Sequence, residues 1–251
     1  MDKTTSWGEV ADWYDSHLEN DTDSYHRAVI LPHLARLMDI SPKEAVLDLA
    51  TGQGFFAREW ARFGASVTAV DISQELIDRA KEKGGLISYH VAPAHALPFF
   101  STASQAKISL VLAIQNIENP KDVFKECARV LASDGKLFLV LNHPAFRIPR
   151  ASSWDYDEKQ KVQYRRIDRY MSEAQIEIDM HPGKMSSEKT ASFHRPLQWY
   201  FKALKSAGLT VSGMEEWISH KESTSGPRAD AENRARKEIP LFLLLEITKH
   251  H

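Results

Sequence analysis

The sequence predicts an α/β fold built on a mostly parallel sheet, and three observations support this. A short apolar run, Ala45–Leu49, is typical of a buried strand and leads into a turn containing Gly52 and Gly54. A second strand pattern, Ser66–Asp71, follows one helix later. The nearly continuous apolar run Lys107–Ala113 is typical of a parallel strand that is buried on both faces.

Helical patterns flank these first strands. Apolar residues recur at helical spacing within residues 7–39, which predicts helices before the first strand. Between the first two strands the same spacing relates Phe56, Trp60 and Phe63, so we expect these three aromatic rings in the core. Ser73 is the expected N-cap of the next helix, because its hydroxyl can accept a bond from a free backbone N–H.

The rest of the chain continues the alternation of strands and helices. Leu86–Val91 predicts a third strand, and Leu137–Leu141 predicts a fifth strand that begins after Gly135. Between them Pro120 is suited to the first turn of a helix. Residues 195–208 predict a helix that ends on glycine.

The residues after the fifth predicted strand indicate an insertion and two further strands. The two strands are expected at residues 210–218 and 241–248, with a polar connection between them. We expect one domain over residues 1–251. Its expected parts are a helical cap (1–43), a ligand-binding core (44–142), a lid insertion (143–195) and the closing helix and strands (196–251).

The acidic residues around the glycine turn indicate the ligand. Asp71 would lie at the carboxyl end of the second strand, where a carboxylate can accept hydrogen bonds from two ribose hydroxyls. Asp48 precedes the glycines, and it would repel a dinucleotide's pyrophosphate but attract an ammonium group. S-adenosylmethionine carries a ribose, an ammonium and a sulfonium, so the pattern favours it over NAD.

At this point the chain resembles the class I S-adenosylmethionine-dependent methyltransferases, and in particular the type found in ubiquinone and menaquinone biosynthesis. The residues that carry the resemblance are Asp48–Gly54, Val70–Ser73, Ala94–Phe99 and Ala128–Leu137. The resemblance covers residues 7–142 well and the remainder of the chain loosely. It implies a Rossmann-like, doubly wound sheet of seven strands, closed by an antiparallel pair, with an N-terminal helical cap and a lid before the last helix.

The chain departs from the family pattern at two positions. Ala50 stands where the first glycine of the loop is usual, and Pro93 stands where an aspartate often contacts the adenine amine. The cofactor contacts that the resemblance implies are otherwise carried by matching residues. They are Asp48, Ala50, Thr51, Gly52, Gly54, Asp71, Ile72, Ala94, His95 and Gln115.

Catalytic and substrate-binding candidates follow the ends of the later strands. His143 comes directly after the fifth strand, and the ordinary pKa of histidine lies near neutrality, so it is a candidate acid or base. Asn116 follows the fourth strand and is a second candidate. The alternative for His143 is a structural role beside Pro144, because many methyltransferases need no base.

Substrate contacts are expected from the cap and from the insertion. In the cap the candidates are Tyr14, Tyr25 and His26, whose alternative role is to pack the cap onto the sheet. In the insertion they are Trp154 and Arg165, since arginines among aromatic residues can bind a carboxylate, a phosphate or a planar ring. The simpler interpretation of that segment is a solvated lid or the contact face of a homodimer.

Composition limits the partners and the compartment. A net charge of −2 over 251 residues gives no basic field for nucleic acid. Cys127 is the single cysteine, which excludes an intramolecular disulfide and suits a reducing compartment. No apolar run is long enough to span a bilayer, and no cluster of metal ligands is present in the sequence. We therefore expect a cytoplasmic protein.

Four functions remain open at the level of the sequence. The first is transfer of a methyl group to an oxygen, nitrogen or carbon nucleophile of a small molecule. The alternatives are a tRNA or rRNA methyltransferase, an NAD-dependent oxidoreductase and a regulator that binds S-adenosylmethionine without catalysis. The oxidoreductase is kept because residues 52–57 satisfy a loose Gly-x-Gly-x-x-Ala pattern.

Overall fold

The computed structural model describes residues 23–179 and 189–250. Its strands are β1 (Ala45–Leu49), β2 (Ser66–Asp71), β3 (Ile87–Val91), β4 (Gln105–Val111), β5 (Leu131–Asn142), β6 (Ser152–Asp157), β7 (Val162–Ile167), β8 (Ala174–Asp179), β9 (Lys189–His194), β10 (Leu209–Trp217) and β11 (Phe242–Lys249). Its helices are α1 (Leu31–Met38, preceded by a π-helical turn His26–Ile30), α2 (Phe55–Arg62), α3 (Gln74–Glu82), α4 (Pro120–Val130), α5 (Leu197–Ser206) and α6 (Ala229–Glu238).

Seven strands form one sheet in the order β3-β2-β1-β4-β5-β11-β10. β11 runs antiparallel to both of its neighbours, and the other pairs are parallel. The predicted fold class is thereby confirmed. After β1 the chain continues to β2 on one side, and after β4 it continues to β5 on the other side. A crevice therefore opens at the carboxyl ends of the adjacent strands β1 and β4.

The sheet is covered on both faces, and β5 shows how. Leu137 and Leu139 belong to the core under α4 and α5, whereas Phe138 and Val140 pack with α1 and α2. All four side chains are fully buried. This alternation is the period of two that a strand imposes, and it explains why the stretch is apolar without interruption.

Two expectations about this core need correction. The helical spacing predicts Phe63 inside, but it is 47% exposed, because it is the C-cap residue of α2 and lies beyond the last helical residue, Arg62. β5 also begins earlier than the predicted start at Leu137. Its register against β4 shifts, so that Gln105 pairs with Leu131 while Lys107 pairs with Lys136.

The insertion after β5 forms two separate hairpins, β6–β7 and β8–β9. α6 packs on β7, and the Arg228 guanidinium lies 4.3 Å from the centre of the Tyr156 ring. The alternation of polar and apolar residues at 175–180 predicts a half-exposed strand, and β8 forms there, whereas its partner β9 is not predicted. Within the described residues, no helix is long and apolar enough to cross a bilayer.

The helix before β1 is held to the far edge of the sheet by polar contacts. Arg36 donates two 2.7 Å bonds to the carboxylate of Glu215 on β10. The His33 ring stacks on Trp217, with 5.2 Å between ring centres. These contacts place the start of the helix above the carboxyl ends of the central strands.

Gly135 is required by the close approach of β4, and replacing it with alanine tests this. A Cβ at this position would lie 2.9 Å from the Ala106 carbonyl oxygen and 3.0 Å from that of Gln105. We expect Gly135→Ala to lower the free energy of unfolding by about 2 kcal/mol, since backbone must move to admit the methyl group. Urea unfolding of the purified chain measures it.

Gly213→Ala is the matched control for this prediction. Gly213 also lies in a strand, but the nearest atom to its added Cβ is 3.4 Å away, an ordinary contact. The control should change the unfolding midpoint little. Equal effects of the two substitutions would show that the β4 contact does not require glycine.

Candidate functional site

The turn between β1 and α2 brings backbone N–H groups to the end of the sheet. Ala50, Gly52 and Gly54 all have positive φ angles of 54°, 58° and 79°. A Cβ on Gly54 would lie 2.8 Å from the hydroxyl oxygen of Tyr89, so this position needs glycine for both reasons. The Thr51 N–H donates to the carbonyl of Val70 at 2.9 Å, which ties the turn to β2.

Asp71 ends β2 with its carboxylate beside this turn. One oxygen accepts the Gly52 N–H at 2.8 Å, and the other accepts the Ser73 N–H at 3.0 Å. Burial raises the pKa of Asp71, and these backbone bonds oppose the increase. Each oxygen still has acceptor capacity, because an ionised carboxylate offers about four lone-pair positions.

Asp48 is buried at the end of β1 and is 2% exposed. It accepts a 2.6 Å bond from the Ser109 hydroxyl and another from the Thr51 hydroxyl. Ser109 in turn accepts a 3.0 Å bond from the indole N–H of Trp60, so a chain of polar contacts crosses the core. Burial raises the pKa of Asp48 to about 6, the two hydroxyl bonds oppose this, and the charge of Asp71 adds to it.

A cavity of about 510 Å³ opens at the carboxyl ends of β1, β2 and β4. The sheet, the turn after β3, the segment after β4 and the β8–β9 hairpin surround it. Its lining residues are Ala50, Gly52, Val70, Asp71, Ile72, Leu76, Ala92, Pro93, Ala94, His95, Val111, Leu112, Ala113, Asn116, Ile117, Glu118, Asn119, Val123, Gln175, Thr190, Ala191 and Phe193. We call this the main cavity.

A smaller cavity of about 50 Å³ adjoins it, and we call this the side cavity. It shares Ala50, Gly52 and Val111 with the main cavity. Its other lining residues are His26, Asp48, Thr51, Gln53, Phe55 and Phe56. Asp71 therefore faces the larger space and Asp48 the smaller one, on opposite sides of the glycine turn.

Two strained residues line the main cavity at the ends of its central strands. Ala50 directly follows β1 and Leu112 directly follows β4, and both have positive φ angles, 54° and 53°. Such angles cost an L-residue about 1–2 kcal/mol. The Gln115 side chain donates a 2.8 Å bond to the Leu112 carbonyl, and the Leu112 N–H donates to Val140, which together hold the strained residue in place.

The structure brings most of the predicted cofactor residues to the two cavities. Those that line the main cavity are Ala50, Gly52, Asp71, Ile72, Ala94 and His95. Asp48 and Thr51 line the side cavity. Gly54 and Gln115 line neither: Gly54 permits the start of α2, and Gln115 supports Leu112.

The two catalytic candidates are placed differently. Asn116 lines the main cavity. His143 is buried and lines neither cavity, and its Nδ1 accepts a 3.2 Å bond from the Ala145 N–H. Its Nε2 lies 2.7 Å from Glu216 on β10. Burial lowers the pKa of His143, although Glu216 opposes this. The described contacts give His143 a role in joining β5 to β10, and its role in catalysis stays a prediction.

The substrate candidates of the cap are divided between the side cavity and the sheet edge. His26 lines the side cavity, and burial lowers its pKa to about 4, so the imidazole is neutral at pH 7. The Tyr25 hydroxyl lies 3.2 Å from that of Ser219, and its ring packs on Phe242. Tyr14 lies outside the described residues.

The substrate candidates of the insertion lie in the β6–β7 hairpin, away from both cavities. The Arg165 guanidinium donates to the Phe146 carbonyl and to the Ser152 hydroxyl, both at 2.8 Å. It also lies 5.2 Å from the centre of the Trp154 ring. In the described structure these two side chains therefore contact each other and their own hairpin.

Sequence reasoning missed the residues that close the main cavity from outside. Gln175, Thr190, Ala191 and Phe193 come from the β8–β9 hairpin, and Glu118 comes from the segment after β4. The alternation around Gln175 was visible as a strand pattern. Nothing in the sequence indicated that this hairpin, rather than β6–β7, would lie over the cavity. Among the described residues no group of three metal-ligating side chains is assembled.

Comparison with known proteins agrees with this geometry. The family described as a methyltransferase domain matches residues 47–139, which span β1 to β5 and include both carboxylates. This part of the chain is therefore similar to a methyltransferase domain. The resemblance predicted from the sequence is therefore confirmed over residues 47–139.

Two relatives of this chain have names that refer to quinones. A ubiquinone biosynthesis O-methyltransferase of Xanthomonas oryzae pv. oryzae is 30% identical over 115 residues, 44% of this chain and 48% of that protein. A demethylmenaquinone methyltransferase of Chlorobaculum parvum is 31% identical over 136 residues, 53% of this chain and 56% of that protein. The chain thus spans about half the length of these relatives.

A solved structure extends the likeness to the whole fold. An S-adenosylmethionine dependent methyltransferase from Mesorhizobium loti superposes with a TM-score of 0.71 at 24% identity. The match covers 89% of this chain and 99% of that chain. The shared architecture therefore includes the regions on either side of the matched domain.

The strain at Ala50 predicts a stabilising substitution. Ala50→Gly should raise the free energy of unfolding by about 1 kcal/mol, because glycine adopts the positive φ angle without steric cost. Urea unfolding measures the change. A matched Ala57→Gly substitution in α2, where glycine is unfavourable, should destabilise by ~1 kcal/mol. A loss of stability in Ala50→Gly would contradict the assignment of strain.

The raised pKa of Asp48 predicts a dependence of stability on pH. The folded chain holds this proton up to about pH 6, whereas an unfolded chain releases it near pH 4. The free energy of unfolding should therefore fall as the pH rises from about 4 to 6, by at most ~3 kcal/mol from this group. Asp48→Asn should flatten that slope in urea unfolding. Identical slopes for both proteins would show that Asp48 has an ordinary pKa.

Proposed function

We propose that this chain is an S-adenosylmethionine-dependent methyltransferase that acts on an uncharged, largely apolar small molecule. The observation that carries the proposal is the pair of buried carboxylates on opposite sides of one glycine turn. Asp71 faces the main cavity and Asp48 faces the side cavity. In the described part of the chain, neither carboxylate has a cationic side chain at ion-pair distance.

Buried carboxylates without cations suit the chemistry of this cofactor. Asp71 can accept hydrogen bonds from the two ribose hydroxyls while it keeps its bonds to the Gly52 and Ser73 N–H groups. Asp48, whose charge is costly to bury, gains a counter-ion if the ammonium of the cofactor enters the side cavity. A pyrophosphate would instead add negative charge beside it, which disfavours NAD.

When bound, the cofactor supplies a methyl group on a positively charged sulfur, which a nucleophile can displace. The chain's own contribution is to position the acceptor and to exclude water. Alignment of the two reactants in a dry cavity accounts for much of the rate enhancement. Asn116 and Leu112 lie where β4 ends and can orient the acceptor. Phe193 and Ile117 supply apolar surface to the same space.

The charges around the main cavity favour an uncharged acceptor. Asp71 and Glu118 are both acidic, and no lysine or arginine is among its lining residues in the described chain. A phosphate or carboxylate on the acceptor would approach like charges, at a cost of about 4 kcal/mol for a 4 Å separation near a protein surface. This argues against the phosphate backbone of tRNA or rRNA as well.

Relatives suggest a chemical class for the acceptor. By their names, the first relative methylates an oxygen in ubiquinone biosynthesis, and the second acts on demethylmenaquinone. A phenolic or quinol ring would fit the apolar lining of the main cavity. For a hydroxyl acceptor, His95 and Glu118 are titratable side chains in that lining that could receive the proton. A cytoplasmic location and a homodimer stay predictions from the sequence.

Methyl transfer to matched acceptors tests the proposal. The purified chain would be incubated with methyl-labelled S-adenosylmethionine and a short-chain demethylated quinol, its carboxylated analogue, or total tRNA. We expect label in the uncharged quinol and little in the other two, because of the acidic lining. Asp71→Ala should weaken cofactor binding by about 1–3 kcal/mol in calorimetry, the cost of leaving hydrogen-bonding groups unpaired.

Other results would favour one of the alternative functions. Binding of the cofactor without label in any acceptor would favour the non-catalytic regulator. Label in tRNA, with strong dependence on salt, would favour the RNA methyltransferase. Unchanged cofactor affinity in Asp71→Ala would reject the role of that carboxylate.

A further inference from the structure

The outer wall of the main cavity is made by two chain segments that are distant in sequence. β8 and β9 contribute Gln175, Thr190, Ala191 and Phe193, and the segment after β4 contributes Ile117 and Glu118. β9 also packs against the turn at residues 114–116. The width of the cavity therefore depends on how the hairpin is held against the segment after β4.

Arg195 lies where these two segments meet. It directly follows β9 and precedes α5, and it is only 5% exposed. Its Nη2 donates to the carbonyl oxygens of Ile117 at 3.1 Å and Glu118 at 2.8 Å. A single guanidinium nitrogen thus joins the hairpin to both residues of the opposite wall.

Two aromatic rings fix the direction of this guanidinium. Its carbon lies 4.9 Å from the ring centres of both Phe193 and Trp199. Phe193 itself lines the main cavity, so the side chain contacts the wall on both sides of the junction. Burial lowers the pKa of Arg195, but the group remains charged at neutral pH, where bonds to carbonyls and ring faces compensate for lost hydration.

The base of the hairpin has separate anchors. The Nε2 of His194 lies 2.8 Å from the carbonyl oxygen of Tyr170, and the Tyr170 hydroxyl accepts a 3.0 Å bond from the Leu197 N–H. These contacts fix the ends of the hairpin without involving the wall of the cavity. Loss of the guanidinium should therefore loosen the wall while leaving the fold intact.

We propose that Arg195 is a positioning residue that holds the β8–β9 hairpin against residues 117–118 and so keeps the cofactor enclosed in the main cavity. The part concerning the cofactor rests on the proposed function, whereas the part concerning the hairpin does not. Arg195 does not line the cavity, so it acts through Phe193, Ile117 and Glu118.

Hydrogen exchange measured by mass spectrometry on the full chain, without cofactor, tests the hairpin. In Arg195→Met we expect amide exchange about tenfold faster in β9 and residues 114–118, with exchange in β1 and β5 unchanged. The exchange rate in Arg195→Lys should lie between those of Arg195→Met and the natural chain. Its ammonium can still donate to a carbonyl but does not fill the space between the rings.

Arg228→Met is the matched control. It also removes a guanidinium that stacks on an aromatic ring, that of Tyr156, and that pairs with Glu158, but it lies at the β6–β7 hairpin. It should leave exchange in β9 unchanged. Normal exchange in β9 of Arg195→Met, or a rise that is uniform over the whole sheet, would overturn the proposal.

Stopped-flow tryptophan fluorescence with S-adenosylhomocysteine tests enclosure. We expect dissociation about tenfold faster in Arg195→Met with little change in association, and the natural rate in Arg228→Met. Equal dissociation rates in all three proteins would reject the role in enclosure. If the natural chain fails to bind S-adenosylhomocysteine, the proposed function is wrong, and the exchange experiment still decides the role of Arg195 in the hairpin.

Discussion

Two buried carboxylates that share one glycine turn are the constraint on which the site depends. Asp48 and Asp71 end adjacent parallel strands, and the turn between them satisfies both with backbone N–H or hydroxyl donors. Burial raises both pKa values, and the charge of Asp71 raises the pKa of Asp48 further. Holding two acidic groups in this way costs stability, and the proposed cofactor, with a ribose at one end and a cation at the other, would offset part of that cost.

The strand ends around this turn are held in conformations that the backbone does not prefer. Ala50 and Leu112 both have positive φ angles at the carboxyl ends of β1 and β4. The surrounding structure maintains them: Gln115 and Val140 engage the backbone of Leu112, and the bond from Thr51 to Val70 fixes the turn beside Ala50. Strain that is maintained at a cavity wall keeps the wall in one shape before any ligand arrives, which lowers the cost of binding.

The two hairpins of the insertion divide its roles. β6–β7 packs with α6. Its Arg166 pairs with Asp168, and its Arg165 donates to the Ser152 hydroxyl and the Phe146 carbonyl. β8–β9 instead supplies residues to the main cavity, and Arg195 joins it to the segment after β4. The amino-acid composition of the two hairpins does not indicate which of them lines the main cavity. The aromatic and arginine residues of β6–β7 looked suited to a ligand, yet they satisfy one another.

The sequence by itself determined the fold class, the strand–glycine–helix turn, both carboxylates and the choice of S-adenosylmethionine over NAD. These features are local, because apolar periodicity, glycine spacing and charge act over a few residues. Only the tertiary structure decided that His143 contacts Glu216, that Phe63 is exposed and that Thr190 and Phe193 close the cavity. The first and third outcomes depend on contacts between segments far apart in sequence, such as the 73 residues between His143 and Glu216, whose pairing is set by the packing of the whole sheet. The exposure of Phe63 depends on where its helix ends.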